Sequence, residues 1–358
     1  MLRRARAAAR VAVDTESNSL HAYRERVCLM QISIPGADFL IDPLAPIDVS
    51  ALAPLFADPS IEKVLHACEY DVICLRRDFG FRFSSLFDTM WAARILGWPR
   101  VGLADILRER FGVMLDKRWQ RHNWGERPLP ADALSYARLD THYLLPLRDV
   151  QIGELQQRDR LEEAREVFAD LTQAEAAPRG EVDRRDGFWR VKGAIDLDRA
   201  AQAVLRELYL YRESEARRLD RPPFKVIGDR TLIAVAEARP TRLDHLRRLP
   251  GMTAAQINRY GRHLLRAVTR GQRSSPPRPL PRKSIDPAVL SRFERLREWR
   301  KRVAVQRGVE ADVIIGNAAL LALAQRHPRD LDALEGIPGL GAWRRKTYGP
   351  AIIEILDL

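Results

Sequence analysis

The chain has 358 residues, 46% hydrophobic and 30% charged, a composition that fits soluble globular protein and excludes a wholly disordered chain. No apolar stretch approaches the roughly 20 residues that a membrane-spanning helix needs. The net charge of +12 is uneven: residues 1–176 hold 23 Lys+Arg against 26 Asp+Glu, and residues 177–358 hold 37 against 22. A faintly acidic half joined to a strongly basic one suggests chemistry in the first and polyanion binding in the second.

The opening "MLRRARAAARVAV" mimics a signal n-region, but its apolar segment is too short and runs straight into Asp14. Val11-Ala12-Val13 reads as a strand, and the period of two points Asp14 and Glu16 to the same side. Two carboxylates so placed repel each other unless a cation lies between them. The alternative is a strand end turning into a polar loop. Cys28, Cys68 and Cys74 form no C-x-x-C pair, which argues for a reducing, cytoplasmic setting and against a cysteine zinc site. "RVCLMQISI" and "DFLIDP" read as a hairpin turning at Pro35-Gly36. "DVSALAPLFAD" is a helix opening on Asp48 or Ser50, "EKVLHA" a strand, and "DVICLRRDF" a helix that Asp71 begins and Gly80 ends. The remainder to about residue 170 reads as mostly helical, interrupted by the Trp- and Pro-bearing stretch 118–130. Beyond it Tyr136 and Asp140, four apart, share a helix face.

The second half repeats itself. A shift of 88 residues lays 226–252 on 314–340 without a gap, and Ile227, Gly228, Leu232, Leu243, Asp244, Pro250 and Gly251 all recur. This is a duplicated helical module, each copy a small bundle. The Pro-rich basic segment between them reads as an extended linker, and a weaker break falls near 172–190.

D-x-E on the first strand, a later Asp at a helix start and Y-x-x-x-D on a later helix resemble the DEDD exonucleases, tyrosine branch. "VDTESNSLHAYRERVCLMQIS", "VLHACEYDVICLRRDFG", "LFDTMWAARILG" and "LDKRWQRHNWGERPLPADALSYARLDTHYLLPL" are similar to the ribonuclease D family, and the duplicated module resembles the HRDC domain. The resemblance implies an α/β ribonuclease H-like exonuclease domain, its mixed sheet flanked by helices, followed by two all-α HRDC bundles. The expected bounds are 1–172 for the exonuclease, 196–272 and 288–358 for the HRDC domains, and 273–287 for the linker.

By the same resemblance, Asp14, Glu16, Asp71 and Asp140 hold two divalent cations, Mg²⁺ or Mn²⁺, and Tyr136 orients the attacking water. The histidine branch would carry a His at position 135, which is Ser135 here. Asp88 is given a supporting role, and His66 and His142 structural ones. Trp124 and Arg127 match a family stretch in which stacking or phosphate contact is expected, the alternative being a packed Trp and a surface Arg. Phosphate tracking is expected of Arg242, Arg247, Arg248, Arg259, Arg262 and Arg266 in the first copy. The loops "LRRLPGM" and "LEGIPGLG" offer backbone N–H groups to phosphate or are plain helix turns. Glu335 stands where the first copy has Arg247, so the first copy should contribute more to RNA binding.

The family carries more residues ahead of its D-x-E strand than the dozen or so here, so a late start site or a missing helix beside the site is expected. The implied activity is 3′→5′ trimming of RNA such as tRNA precursors, releasing 5′-mononucleotides, by a cytoplasmic monomer. A DNA exonuclease and a non-catalytic nucleic-acid adaptor are the alternatives.

Overall fold

The computed structural model describes residues 1–175, 186–278 and 286–357. Residues 279–285 of the expected linker and 176–185 of the expected break lie outside the described residues. The chain divides into two units: Met1–Ser17, Val27–Ala176 and Ser284–Leu358 form one, and Asn18–Arg26 with Ala177–Lys283 the other.

In the first unit a short helix, α1 (Leu2–Arg6), precedes strand β1 (Arg10–Ser17). Strands β2 (Val27–Ile34), β3 (Ala37–Ile41), β4 (Glu62–Leu65) and β5 (Leu86–Asp88) complete a sheet of order β3-β2-β1-β4-β5. β1 runs antiparallel to β2 and parallel to β4, so the sheet is mixed. Val11, Ala12 and Val13 are fully buried, as a central strand covered on both faces requires. The β2–β3 turn uses Gly36 at φ +76°, a left-handed conformation that glycine adopts without steric cost.

The helices are α2 (Ala53–Ala57), α3 (Glu69–Phe79), α4 (Thr89–Leu96), α5 (Leu103–Phe111), α6 (Ala131–His142), α7 (Leu144–Gln157) and α8 (Leu161–Leu171). Two details depart from the sequence reading. Asp71 is the third residue of α3, whose N-cap is Cys68. β5, only three residues long, lies in the stretch read as mostly helical.

The duplication recurs in the backbone, with one difference: a 3₁₀ turn, Asp332–Leu334, stands in the second copy where the first has a short α-helix. The first copy has α9 (Arg199–Arg218), α10 (Pro223–Val226), α11 (Asp229–Ala238), α12 (Leu243–Leu246) and α13 (Ala254–Arg273). The second has α14 (Pro287–Arg307), α15 (Ala311–Ile314), α16 (Asn317–Arg326) and α17 (Ala342–Asp357). α11 and α16 both end on a left-handed non-glycine residue, Arg239 and His327, which are 88 positions apart. The buried Arg212 donates to the Ile227 carbonyl (3.3 Å), and its counterpart Arg300 donates to the Ile315 carbonyl (2.8 Å).

The second copy packs on the nuclease helices. Glu163 of α8, 0% exposed, receives both guanidinium nitrogens of Arg307 at 2.9 and 2.5 Å, and Arg307 also donates to the Tyr348 hydroxyl. Glu166, one turn on, accepts from Arg344 Nη1 at 3.0 Å and from the backbone N–H of Trp343 at 2.6 Å. Arg94 pairs with Asp312. Gly97 lies so near the Gly308 carbonyl that a Cβ there would stand 2.3 Å from its oxygen.

Candidate active site

β1 carries Asp14 and Glu16 on one side, and α6, packed across β1, β2 and β3, brings Asp140 over them. Ala133 and Ala137 on the inner face of α6 are fully buried; their small side chains let the helix lie close to β2. Carboxylate oxygens of Asp14, Glu16 and Asp140 all lie within 4.8 Å of one another. Asp71 stands beside this trio, its Oδ1 taking the Thr15 hydroxyl. Tyr136, 7% exposed, stands beside Asp140, whose charged form its phenol favours, and the Gln120 side chain acts on the phenol in the same sense.

The electrostatics follow from crowding acids in a dry place. Burial, then the neighbouring Asp71, Asp140 and Glu16, hold Asp14 well above the usual carboxylate range. Burial, Asp140 and Asp71 push Glu16 up to about 9. Burial raises Asp140 to about 8 and Asp71 to about 7, against the Tyr136 phenol and the hydrogen bond from Thr15 respectively. Burial, then Asp140, Glu16 and Asp14, push Tyr136 up, so its phenol keeps its proton. Without a cation, such a cluster retains protons at neutral pH; a divalent cation would displace them. The donor set is all carboxylate oxygen, which suits a hard cation such as Mg²⁺ or Mn²⁺.

The other expected residues are placed as follows. Asp88 is fully buried and caps α4 through Met90 N and Trp91 N, while also accepting from Cys68 N (2.7 Å) at the entry to α3. It thus fastens the turn that leads to Asp71. His66 bonds the Thr89 hydroxyl and His142 bonds Asp38, both structural contacts. Trp124 is a correction: it is 1% exposed, packed with Leu29 and Tyr136, so its face is closed to a stacking base. Arg127 is another. It is held by both Asp42 oxygens and by the carbonyls of Cys28, Trp124 and Glu126, leaving no donor fork for phosphate.

In the first HRDC copy Arg242, Arg247, Arg248, Arg259, Arg262 and Arg266 are all exposed. Arg259, Arg262 and Arg266 follow one face of α13. Arg242 and Arg247 lie 3.8 and 3.6 Å from Asp244. In the second copy the "LEGIPGLG" loop is closed to phosphate, because Glu166 already occupies the N-terminus of α17. Sequence reasoning missed Thr15, Gln120 and Glu166; the first lies inside the D-x-E motif itself, and the others carry no local pattern.

A central strand gathering carboxylates under a tyrosine-bearing helix defines a class, and the family models agree with it. Residues 1–151 match the 3'-5' exonuclease model, and residues 201–268 and 289–356 match the HRDC domain. Ribonuclease D of Pseudomonas paraeruginosa is 30% identical over 359 residues, 97% of this chain and 92% of that protein. The crystal structure of Escherichia coli RNase D, an exoribonuclease involved in structured RNA processing, aligns with a TM-score of 0.69 at 26% identity, covering 99% of this chain and 95% of that one. Protein RRP6-like 3 of Arabidopsis thaliana is 44% identical over 147 residues, 41% of this chain and 16% of that protein. The chain belongs to the ribonuclease D family, and by class it is a hydrolase, a 3′–5′ exoribonuclease. No helix among the described residues is long and apolar enough to cross a membrane.

Proposed function

We propose that this chain trims the 3′ ends of structured RNA, tRNA precursors among them, releasing 5′-mononucleotides as a cytoplasmic monomer. The carrying observation is the convergence of Asp14, Glu16 and Asp140 within 4.8 Å, with the buried Tyr136 one turn before Asp140 on α6. Asp14, Glu16, Asp71 and Asp140 would hold two divalent cations, Mg²⁺ or Mn²⁺. Bound there, the ions would neutralise charge on the scissile phosphate and lower the pKa of an attacking water. Tyr136, its proton retained, serves as a hydrogen-bonding group that orients this water rather than as a base. Thr15 fixes Asp71, and Asp88 fixes the turn before it. The exposed arginines of α13 hold the RNA backbone.

The test is digestion of 3′- and 5′-labelled RNA and DNA with Mg²⁺, Mn²⁺ or EDTA. Cation-dependent release of mononucleotides from the 3′ end of RNA is expected, with Asp14→Asn slower by several orders of magnitude, roughly 10³-fold or more. Equal or faster digestion of DNA would move the assignment to a DNA exonuclease. Full activity of Asp14→Asn, or in EDTA, would contradict the cation site.

The raised carboxylates also set a pH dependence. From about pH 4 upward the cation-free folded protein binds more protons at these groups than the unfolded chain does, so this contribution to stability is lost as pH rises. The loss runs through the values of about 7, 8 and 9 at Asp71, Asp140 and Glu16. The Tm of cation-free protein should fall more steeply from pH 6 to 9, roughly, than that of Glu16→Gln, and the Tm gained from Mn²⁺ should grow over the same range. Parallel curves for the two proteins would contradict the raised carboxylates.

A further inference from the structure

Gln31, in the middle of β2, is 0% exposed, and neither its Nε2 nor its Oε1 has a hydrogen-bond partner among the described residues. A buried carboxamide with both ends unmet is costly, by about 1–3 kcal/mol for each unmet group. Such a residue calls for a partner that arrives from outside the protein.

Its position says which. Gln31 is the direct cross-strand neighbour of Asp14 in the β1–β2 ladder. Residues directly opposite in an antiparallel pair project to the same side with Cβ atoms about 4.5–5.5 Å apart. The next residues on that side of β2 confirm the facing. Ser33 bonds Thr141 of α6 at 2.7 Å, and Leu29 packs with Tyr136 and Ala137 of the same helix. Gln31 therefore lies under α6 between these two contacts, on the side that carries Asp14. Its neighbour along the strand has no spare need, since the Ser33 hydroxyl is already engaged with Asp38 and Thr141. The cation site, which is completed by something the chain does not supply, begins at Gln31's cross-strand neighbour Asp14.

We infer that Gln31 is a positioning residue for the cation site: its carboxamide holds the Asp14 carboxylate, through one buried water, in the orientation that binds the ion. A carboxylate that ligates a metal ordinarily carries a hydrogen bond on its outer lone pair, and losing that partner typically weakens metal affinity by about 10–100-fold. The inference rests on the cation-site reading above and goes beyond it by adding a residue outside the four acids.

The experiment uses full-length protein and two apolar variants of similar size, Gln31→Met and Gln31→Leu, with Asp14→Asn alongside. Mn²⁺ binding is followed by calorimetry or electron paramagnetic resonance, and Tm is measured without cation. The inference predicts that both Gln31 variants keep or raise the cation-free Tm, because an unmet amide has been removed. Their Mn²⁺ affinity should fall about 10-fold or more, with kcat reduced and KM for RNA unchanged. A role in packing alone would instead lower the cation-free Tm and leave Mn²⁺ affinity intact, which overturns the inference. If Asp14→Asn loses Mn²⁺ while both Gln31 variants bind it like the parent, only the Gln31 role fails. Should Asp14→Asn bind Mn²⁺ normally as well, the cation-site reading fails with it.

Discussion

The two HRDC copies share a backbone and differ in what holds the start of their last long helix. In the first, Thr253 and Gln256 form a capping box: the Thr253 hydroxyl accepts from Gln256 N, and the Gln256 side-chain Oε1 accepts from Thr253 N. In the second, Gly341 replaces Thr253 and Arg344 replaces Gln256. The missing cap comes from Glu166 of the nuclease helix α8, which accepts from Trp343 N and from Arg344. A side chain at 341 would collide with that carboxylate, a Cβ there standing 2.3 Å from Glu166 Cδ.

Other differences run the same way. Arg307 and Asp312, which bind the nuclease helices, correspond to Leu219 and to the exposed Phe224. On α17, Thr347, Pro350 and Glu354 stand where α13 has Arg259, Arg262 and Arg266. After duplication, the second copy turns Arg307, Asp312 and Arg344 to the nuclease domain, and the first presents Arg259, Arg262 and Arg266 to solvent. One fold serves as a fastening in one place and carries an exposed row of arginines in the other.

The sharpest way to break this comparison is to unpair the fastening. Glu166→Ala should destabilise the protein by about 3–5 kcal/mol, because it leaves the buried Arg344 guanidinium without its counter-charge. Urea unfolding of full-length protein measures this, and a change within about 0.5 kcal/mol, the range of an ordinary surface substitution, would mean the pair does not hold the copy in place. Thr253→Ala in the first copy should cost less, about 1 kcal/mol, the usual worth of a side-chain cap. Costs of the same size at both sites would erase the distinction between a self-capped helix and one capped from the nuclease.

The sequence disclosed the parts that rest on local periods. The period of two paired Asp14 with Glu16, the spacing of four paired Tyr136 with Asp140, and the shift of 88 set the register between the copies, as with α11 and α16. What it concealed is non-local. Glu163 and Glu166 look like the solvated charges of an amphipathic helix, yet their partners Arg307 and Arg344 lie 144 and 178 positions away. Trp124 and Arg127 sit in a motif that suggests nucleic-acid contact, and only the packing shows one to be core and the other tied to Asp42. β5 is too short for any period to register. The amide of Gln31 looks like one polar residue in an apolar strand until its missing partners are known.

The division of labour between the copies is tested most directly by RNA affinity against salt concentration. The proteins to compare are the parent, Arg259→Glu with Arg262→Glu, and Arg329→Glu with Lys346→Glu, all four positions being exposed. The two double variants change net charge equally, so any general electrostatic effect cancels. The account predicts that reversal on α13 weakens binding and lowers the slope of log affinity against log salt by roughly 1–2, whereas reversal in the second copy leaves both near the parent values. Equal losses from the two double variants would contradict it.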